Sequence, residues 1–186
     1  MCGIAGYVGR FEPTLLGRMN RAQGHRGPDG SGEWHDAQAG LAHVRLAILD
    51  LSSTGAQPMA DASGRVVLSF NGEIYNYREL RVRLERRGVV FRGDSDTEVL
   101  ANLLACYGTE CLPWLNGIFA FAAWVPAEQK LLLARDAGGV KPLYWAATPA
   151  GRVFASELKS LKGIPGVDWS LDPEAVSAYL TLLYAP

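Results

Sequence analysis

Apolar residues along the chain recur mostly in short runs or alternate with polar ones, and only a few stretches show helical spacing of three and four. Residues 4–8, broken by Gly3, Gly6 and Gly9, read as a buried strand with close backbone neighbours. Leu15, Leu16, Met19 and Ala22 then recur at helical spacing before Gly24. A stretch dense in turn formers follows at 25–32, and strand-like segments are predicted at 40–49 and 66–70. Asn71-Gly72-Glu73 reads as a turn ending the second of these. Residues 77–87 predict a charge-laced helix stopped by Gly88, 89–91 a short strand, and 99–107 a helix with N-cap candidates among 94–98. Segments 119–125 and 130–135 flank Pro126-Ala127-Glu128-Gln129 as a hairpin. Strands at 142–147 and 152–155, a helix at 156–161 and a last helix at 173–183 complete the pattern, the last with Asp172 as N-cap and Pro173 as its first residue.

Strands joined by hairpins, with helices in groups, favour a layered α+β fold over a parallel βαβ one. Near-continuous apolar strands imply sheets covered on both faces, as when sheet packs on sheet with helices outside. The 186 residues carry 18 Lys and Arg against 19 Asp and Glu, so no basic field exists to draw in nucleic acid. No apolar run approaches a membrane span, and the first residues lack the basic start of a signal peptide, so a cytoplasmic location is expected. Three cysteines without CxxC spacing and three histidines without helical pairing predict no metal site. Cys106 and Cys111 sit in apolar surroundings and read as core residues.

Cys2 stands apart by position. If Met1 is removed, one residue carries both a thiol and a free amine, and an amine with a pKa of ~7.7–8.0 can serve as its own base. Asn71-Gly72 can present a side-chain amide and a backbone N–H to one point, as an oxyanion hole does, or be an ordinary turn. Arg45, inside an otherwise apolar strand, needs an anionic partner, either a structural acid or a substrate carboxylate. Asp96, near a helix start, has the simpler reading of a cap.

These residues lie in six ordered motifs: Cys2-Gly3-Ile4-Ala5-Gly6, His25-Arg26-Gly27-Pro28-Asp29, residues 42–48, residues 71–76, Ser95-Asp96-Thr97-Glu98 and residues 135–144. Together they resemble the class II glutamine amidotransferase domain of the asparagine synthetase type, an N-terminal-nucleophile hydrolase, over nearly the whole chain. The resemblance implies a four-layer αββα sandwich of two mainly antiparallel sheets and L-glutamine as substrate, cleaved to glutamate and ammonia. It implies Cys2 as nucleophile and Asn71 and Gly72 as oxyanion donors. It further implies Arg45 on the α-carboxylate, Glu73 and Asp96 on the α-ammonium, Leu46 and Ile48 lining the pocket, and Arg26 behind them. Residues 1–170 would be the glutaminase domain and 171–186 the start of a connection to an ATP-dependent synthetase domain. That domain, absent here, would hold Mg-ATP, whereas the glutaminase domain needs no cofactor. A homodimer of the full-length protein is among the implied assemblies. Asparagine synthesis is the leading role. A related amidotransferase of a specialised pathway and a non-catalytic glutamine-binding module are the alternatives.

Overall fold

The strands are β1 (Gly3–Gly9), β2 (Gly30–His35), β3 (Ala39–Arg45), β4 (Met59–Ala60), β5 (Val67–Ile74), β6 (Gly117–Val125), β7 (Lys130–Arg135), β8 (Tyr144–Thr148) and β9 (Gly151–Ala155). The α-helices are α1 (Thr14–Ala22), α2 (Tyr77–Glu85), α3 (Asp96–Tyr107), α4 (Leu158–Leu161) and α5 (Pro173–Leu182) in this computed structural model, which describes residues 1–184. One sheet runs β2-β3-β1-β9-β8 and the other β4-β5-β6-β7, every pairing antiparallel.

Strand alternation makes the layers. In β1, Ala5 and Tyr7 point outward into a cluster with Leu16 and Met19 of α1 and Leu161 of α4. The inward parity joins Ala39 and Leu41 of β3, Phe154 of β9, Val67 of β5 and Trp124 of β6 in a core between the sheets. The far face of the second sheet, with Leu68, Phe70, Phe119 and Phe121, packs on Leu80 and Leu84 of α2 and on Leu100 and Leu103 of α3. Helices, sheet, sheet, helices: the fold is α+β and the αββα order expected from the sequence. Ser69 Oγ donates to the Ala42 carbonyl at 2.9 Å, tying the two sheets directly.

Four local readings change. Asn71-Gly72-Glu73 is not a turn, because β5 continues in register with β6 from Val67↔Trp124 to Ile74↔Gly117. Turn-forming residues thus sit inside a strand, where glycine is required: a Cβ on Gly72 would lie 2.3 Å from the Ile118 carbonyl oxygen. Residues 30–32, at the end of the stretch read as a loop, belong to edge strand β2, and Gly32 allows the Gln57 carbonyl to come close. Residues 89–91 pair with no strand among the described residues; Val89 and Phe91 pack against the α2–α3 core instead. Helix α3 begins at Asp96, with Ser95 as the cap accepting the Glu98 N–H, so Asp96 is not the cap. The Asp172 cap is present, accepting from Glu174 and Ala175.

Candidate active site

The inward parity that gives an apolar core at one end of the sandwich places polar residues at the other. Along β3 the inward file runs Ala39, Leu41, His43, Arg45, and along β5 it runs Val67, Ser69, Asn71, Glu73. Ile4 of β1 pairs with His43, so Cys2, two residues earlier, continues the inward file beside Arg45. A cleft opens there, lined by Cys2, Arg45, Leu46, Ile48, Asn71, Gly72, Glu73 and Asp96 among others. Of the residues singled out in the sequence, only Arg26 stays off its wall. It sits behind, its Nε donating to the Cys2 carbonyl at 2.9 Å.

The Cys2 thiol rests against one residue of the loop after β3. The Leu46 N–H points at Sγ from 3.4 Å, and the Leu46 carbonyl lies 3.5 Å from it. Three groups of the His25–Asp29 motif hold this arrangement. Arg26 grips Cys2, Gly27 packs so closely on Val44 and Arg45 that a Cβ would lie 2.3 Å from the Val44 carbonyl carbon, and Asp29 accepts the Ala47 N–H at 2.9 Å.

The edge of β5 past the two-residue β4 is finished by side chains instead of a strand. Gln57 Oε1 accepts the Phe70 N–H at 2.6 Å and Asp96 Oδ2 the Ile74 N–H at 2.9 Å. Between them, Gly72 faces Phe119, whose N–H and carbonyl are both engaged with Asp136. The Gly72–Phe119 pair is therefore the non-hydrogen-bonded kind, and the Gly72 N–H points out from the free edge. It meets no acceptor among the described residues. The neighbouring Asn71 Nδ2 is buried and equally without a partner. The Asn71 amide is buried, where polar groups are nearly always paired, and the Gly72 N–H beside it is half-buried.

The charges of the cleft are also unpaired. Arg45 Nη1 donates to the Ser52 carbonyl at 2.8 Å and Nη2 to that of Asp50, but no carboxylate lies within salt-bridge distance among the described residues. Gly55 makes room for that guanidinium, since a Cβ there would lie 2.3 Å from Nη2. Neither Glu73 nor Asp96 has a cationic partner among the described residues. Burial pushes the Asp96 carboxyl up to about 6; the N–H groups of Ile74 and Thr97 oppose that rise, and the Glu73 charge adds to it. His43 is buried one step along the inward file from Arg45, its Nε2 3.2 Å from the Phe70 carbonyl. Since a carbonyl only accepts, Nε2 carries the hydrogen and Nδ1 is the unpartnered acceptor. Burial brings this imidazole down to about 4, with Arg45 adding to the effect, so the ring is neutral near pH 7.

Asp29, Gly55, Gln57 and Lys141 were not singled out from the sequence. Asp29 and Gln57 accept backbone N–H groups and Gly55 leaves room for the Arg45 guanidinium, none of which leaves a pattern beyond a cluster of turn formers. Lys141 reaches the cleft wall because Asp136, immediately after β7, accepts the Val140 and Lys141 N–H groups and closes the 136–141 turn. Among the described residues no group of three or more His, Cys, Asp or Glu is placed to hold a metal ion.

Residues 1–186 match the family of glutamine amidotransferase domains. The chain is 39% identical over 193 residues to glutamine-hydrolysing asparagine synthetase 1 of Bacillus subtilis strain 168, covering 100% of this chain and 30% of that protein. It is 41% identical over 167 residues to glutamine-hydrolysing asparagine synthetase of Zea mays, covering 87% and 28%. A solved structure of glutamine phosphoribosylpyrophosphate amidotransferase from B. subtilis shares the fold with a TM-score of 0.74 at 23% identity, over 90% of this chain and 44% of that one. The chain thus spans about a third or less of the length of these curated relatives.

Proposed function

The chain belongs to the glutamine amidotransferase domain family, and from that premise we propose that its cleft hydrolyses free L-glutamine to glutamate and ammonia through a thioester on Cys2. One observation carries this reading. Across a single cleft, an arginine without a carboxylate faces two carboxylates without a cation, and a thiol and two unused N–H donors lie on the same walls. That is the complement of a free amino acid with a side-chain carbonyl. A peptide-bound glutamine would leave both charged ends unsatisfied.

Arg45 takes the α-carboxylate, while Asp96 and Glu73 take the α-ammonium. An ammonium beside Asp96 also favours the ionised carboxylate that burial disfavours. The Leu46 backbone borders the thiol and Ile48, largely exposed, covers the outer wall. With Met1 removed, the Cys2 α-amine accepts the thiol proton and the thiolate attacks the side-chain amide carbon. Asn71 Nδ2 and the Gly72 N–H hold the oxyanion, and the resulting ammonium gives its proton to departing ammonia. Water, deprotonated by the same amine, then cleaves the thioester.

A retained Met1 turns that amine into an amide nitrogen and puts the Met1 side chain on the cleft wall, with Sδ 3.4 Å from Lys141 Nζ. Mass-verified trimmed protein is therefore expected to release ammonia from glutamine at least about 10²-fold faster than untrimmed protein. Equal rates would remove the amine from the mechanism.

The names of the relatives support asparagine synthesis as the use of the ammonia, with the acceptor and Mg-ATP bound by a synthetase domain of a longer protein. Residues 1–170 would be the glutaminase domain and 171–186 the connection, of which Ala185 and Pro186 lie outside the described residues. In support, α5 buries none of its residues and exposes Tyr179, Leu180 and Leu182.

A further inference from the structure

Immediately after β9, two residues hold the start of β1. Ser156 is buried; its N–H donates to the Ile4 carbonyl at 2.8 Å and its Oγ accepts the Ile4 N–H at 3.0 Å. Next to it, Glu157 Oε1 accepts from Arg26 Nη1 at 3.1 Å and from His25 Nε2 at 2.9 Å, while Oε2 meets Lys159 Nζ at 3.0 Å. Arg26 in turn donates from Nε to the Cys2 carbonyl. We propose that Glu157 is a positioning residue for the nucleophile: acting through Arg26, and beside Ser156, it fixes the backbone from Cys2 to Ile4 that carries the thiol and the amine.

The argument rests on what Arg26 has without it. The guanidinium is buried, with 9% of its side chain exposed, and its Nη2 meets no acceptor. Glu157 is its one carboxylate partner among the described residues. Removing that carboxylate leaves a buried cation without a counter-ion, which turns towards water and releases the Cys2 carbonyl. Glu157 does not line the cleft, so it touches neither glutamine nor the reacting atoms. Its loss therefore acts on the placement of the thiol, to which rate is steeply sensitive, and leaves the Arg45 and Asp96 walls intact.

The inference builds on the glutaminase reading, so the test reads both turnover and backbone order in trimmed protein. Glu157→Ala is expected to lower kcat about tenfold or more with KM for glutamine within about twofold, and to speed amide hydrogen exchange at Gly3–Ala5. Glu157→Gln keeps an acceptor for Arg26 but removes its counter-ion, and is expected to fall between the parent and Glu157→Ala in both readouts. Should the alanine variant fail to fold, Glu157→Asp, one methylene short of Arg26, is read in its place. Unchanged exchange, unchanged kcat, or a loss confined to KM overturns the proposal. If the parental protein itself releases no ammonia, the glutaminase reading fails, and exchange alone decides: faster exchange in Glu157→Ala with Glu157→Gln in between supports the clamp, while no difference overturns it.

Discussion

Strands β1, β3 and β5 each run the length of the layer between the sheets, and the side chains they send inward change character on the way. At one end Leu41, Val67, Trp124 and Phe154 close on each other with at most 4% exposure. The polar atom of Trp124 is fully used there, donating to Asp36 Oδ2 at 2.7 Å. At the other end Cys2, His43, Arg45, Asn71 and Glu73 occupy equivalent positions, and Asn71 Nδ2 and His43 Nδ1 have no partners. Each such buried orphan costs about 1–3 kcal/mol. Stability comes from the apolar end, and the polar end stores unsatisfied groups for a ligand to complete.

The comparison predicts separable phenotypes. The largest effect is expected from Phe154→Ala: a loss of about 3–5 kcal/mol in denaturant unfolding, with KM for glutamine unchanged in whatever protein remains folded. Asn71→Ala should do the reverse, lowering kcat by roughly 10²–10³ with a nearly parental melting temperature. If Asn71→Ala instead unfolds the protein with kcat intact, the two ends do not divide the labour.

The smallest effect is the most diagnostic, because it has a sign. Asp96 holds its proton more tightly folded, about 6 against 3.8. Its contribution is therefore full below pH 4 and lost as pH rises to about 6, by roughly 3 kcal/mol at most. His43 runs oppositely, at about 4 folded against 6.5. Its neutral form favours folding above pH 6.5, and that advantage is lost as pH falls towards 4. Over this window the two slopes oppose one another. Asp96→Asn is expected to stabilise the protein at pH 7 by up to roughly 3 kcal/mol, to steepen its acid sensitivity below pH 6.5, and to raise KM. Melting curves from pH 4 to 8 check it; a variant no more stable than its parent at pH 7 would show that burial of Asp96 carries no cost.

Much of this was legible in the sequence because it depends on periodicity. The 119–125 and 130–135 hairpin, the Asp172 cap and the αββα order all follow from alternation, turn chemistry and the resemblance. Asn71-Gly72 reads as a turn because its composition is that of one; the strand persists there because Gly72 must approach β6 closely and Gln57 and Asp96 finish the β5 edge. Those edge bonds join residues 13 and 22 positions apart, a separation no local pattern reports. Arg45 called for an anion, but its observed partners are carbonyls of its own loop, set by the fold of residues 50–55. Glu157 left no local signal at all, since its partner lies 131 positions away.

Because the reactive groups share one strand parity, the molecule's tolerance of length change is quantised. Deleting one residue between Ile4 and Val8, or between Leu41 and Arg45, would turn either the apolar file or the reactive one to the wrong face. Removing two would restore the facing and shorten the sandwich by a full pleat. In lineages descending from this fold, insertions and deletions in β1, β3 and β5 should come in pairs or not at all, while connections that hold no group of the cleft or the core are free to change by single residues.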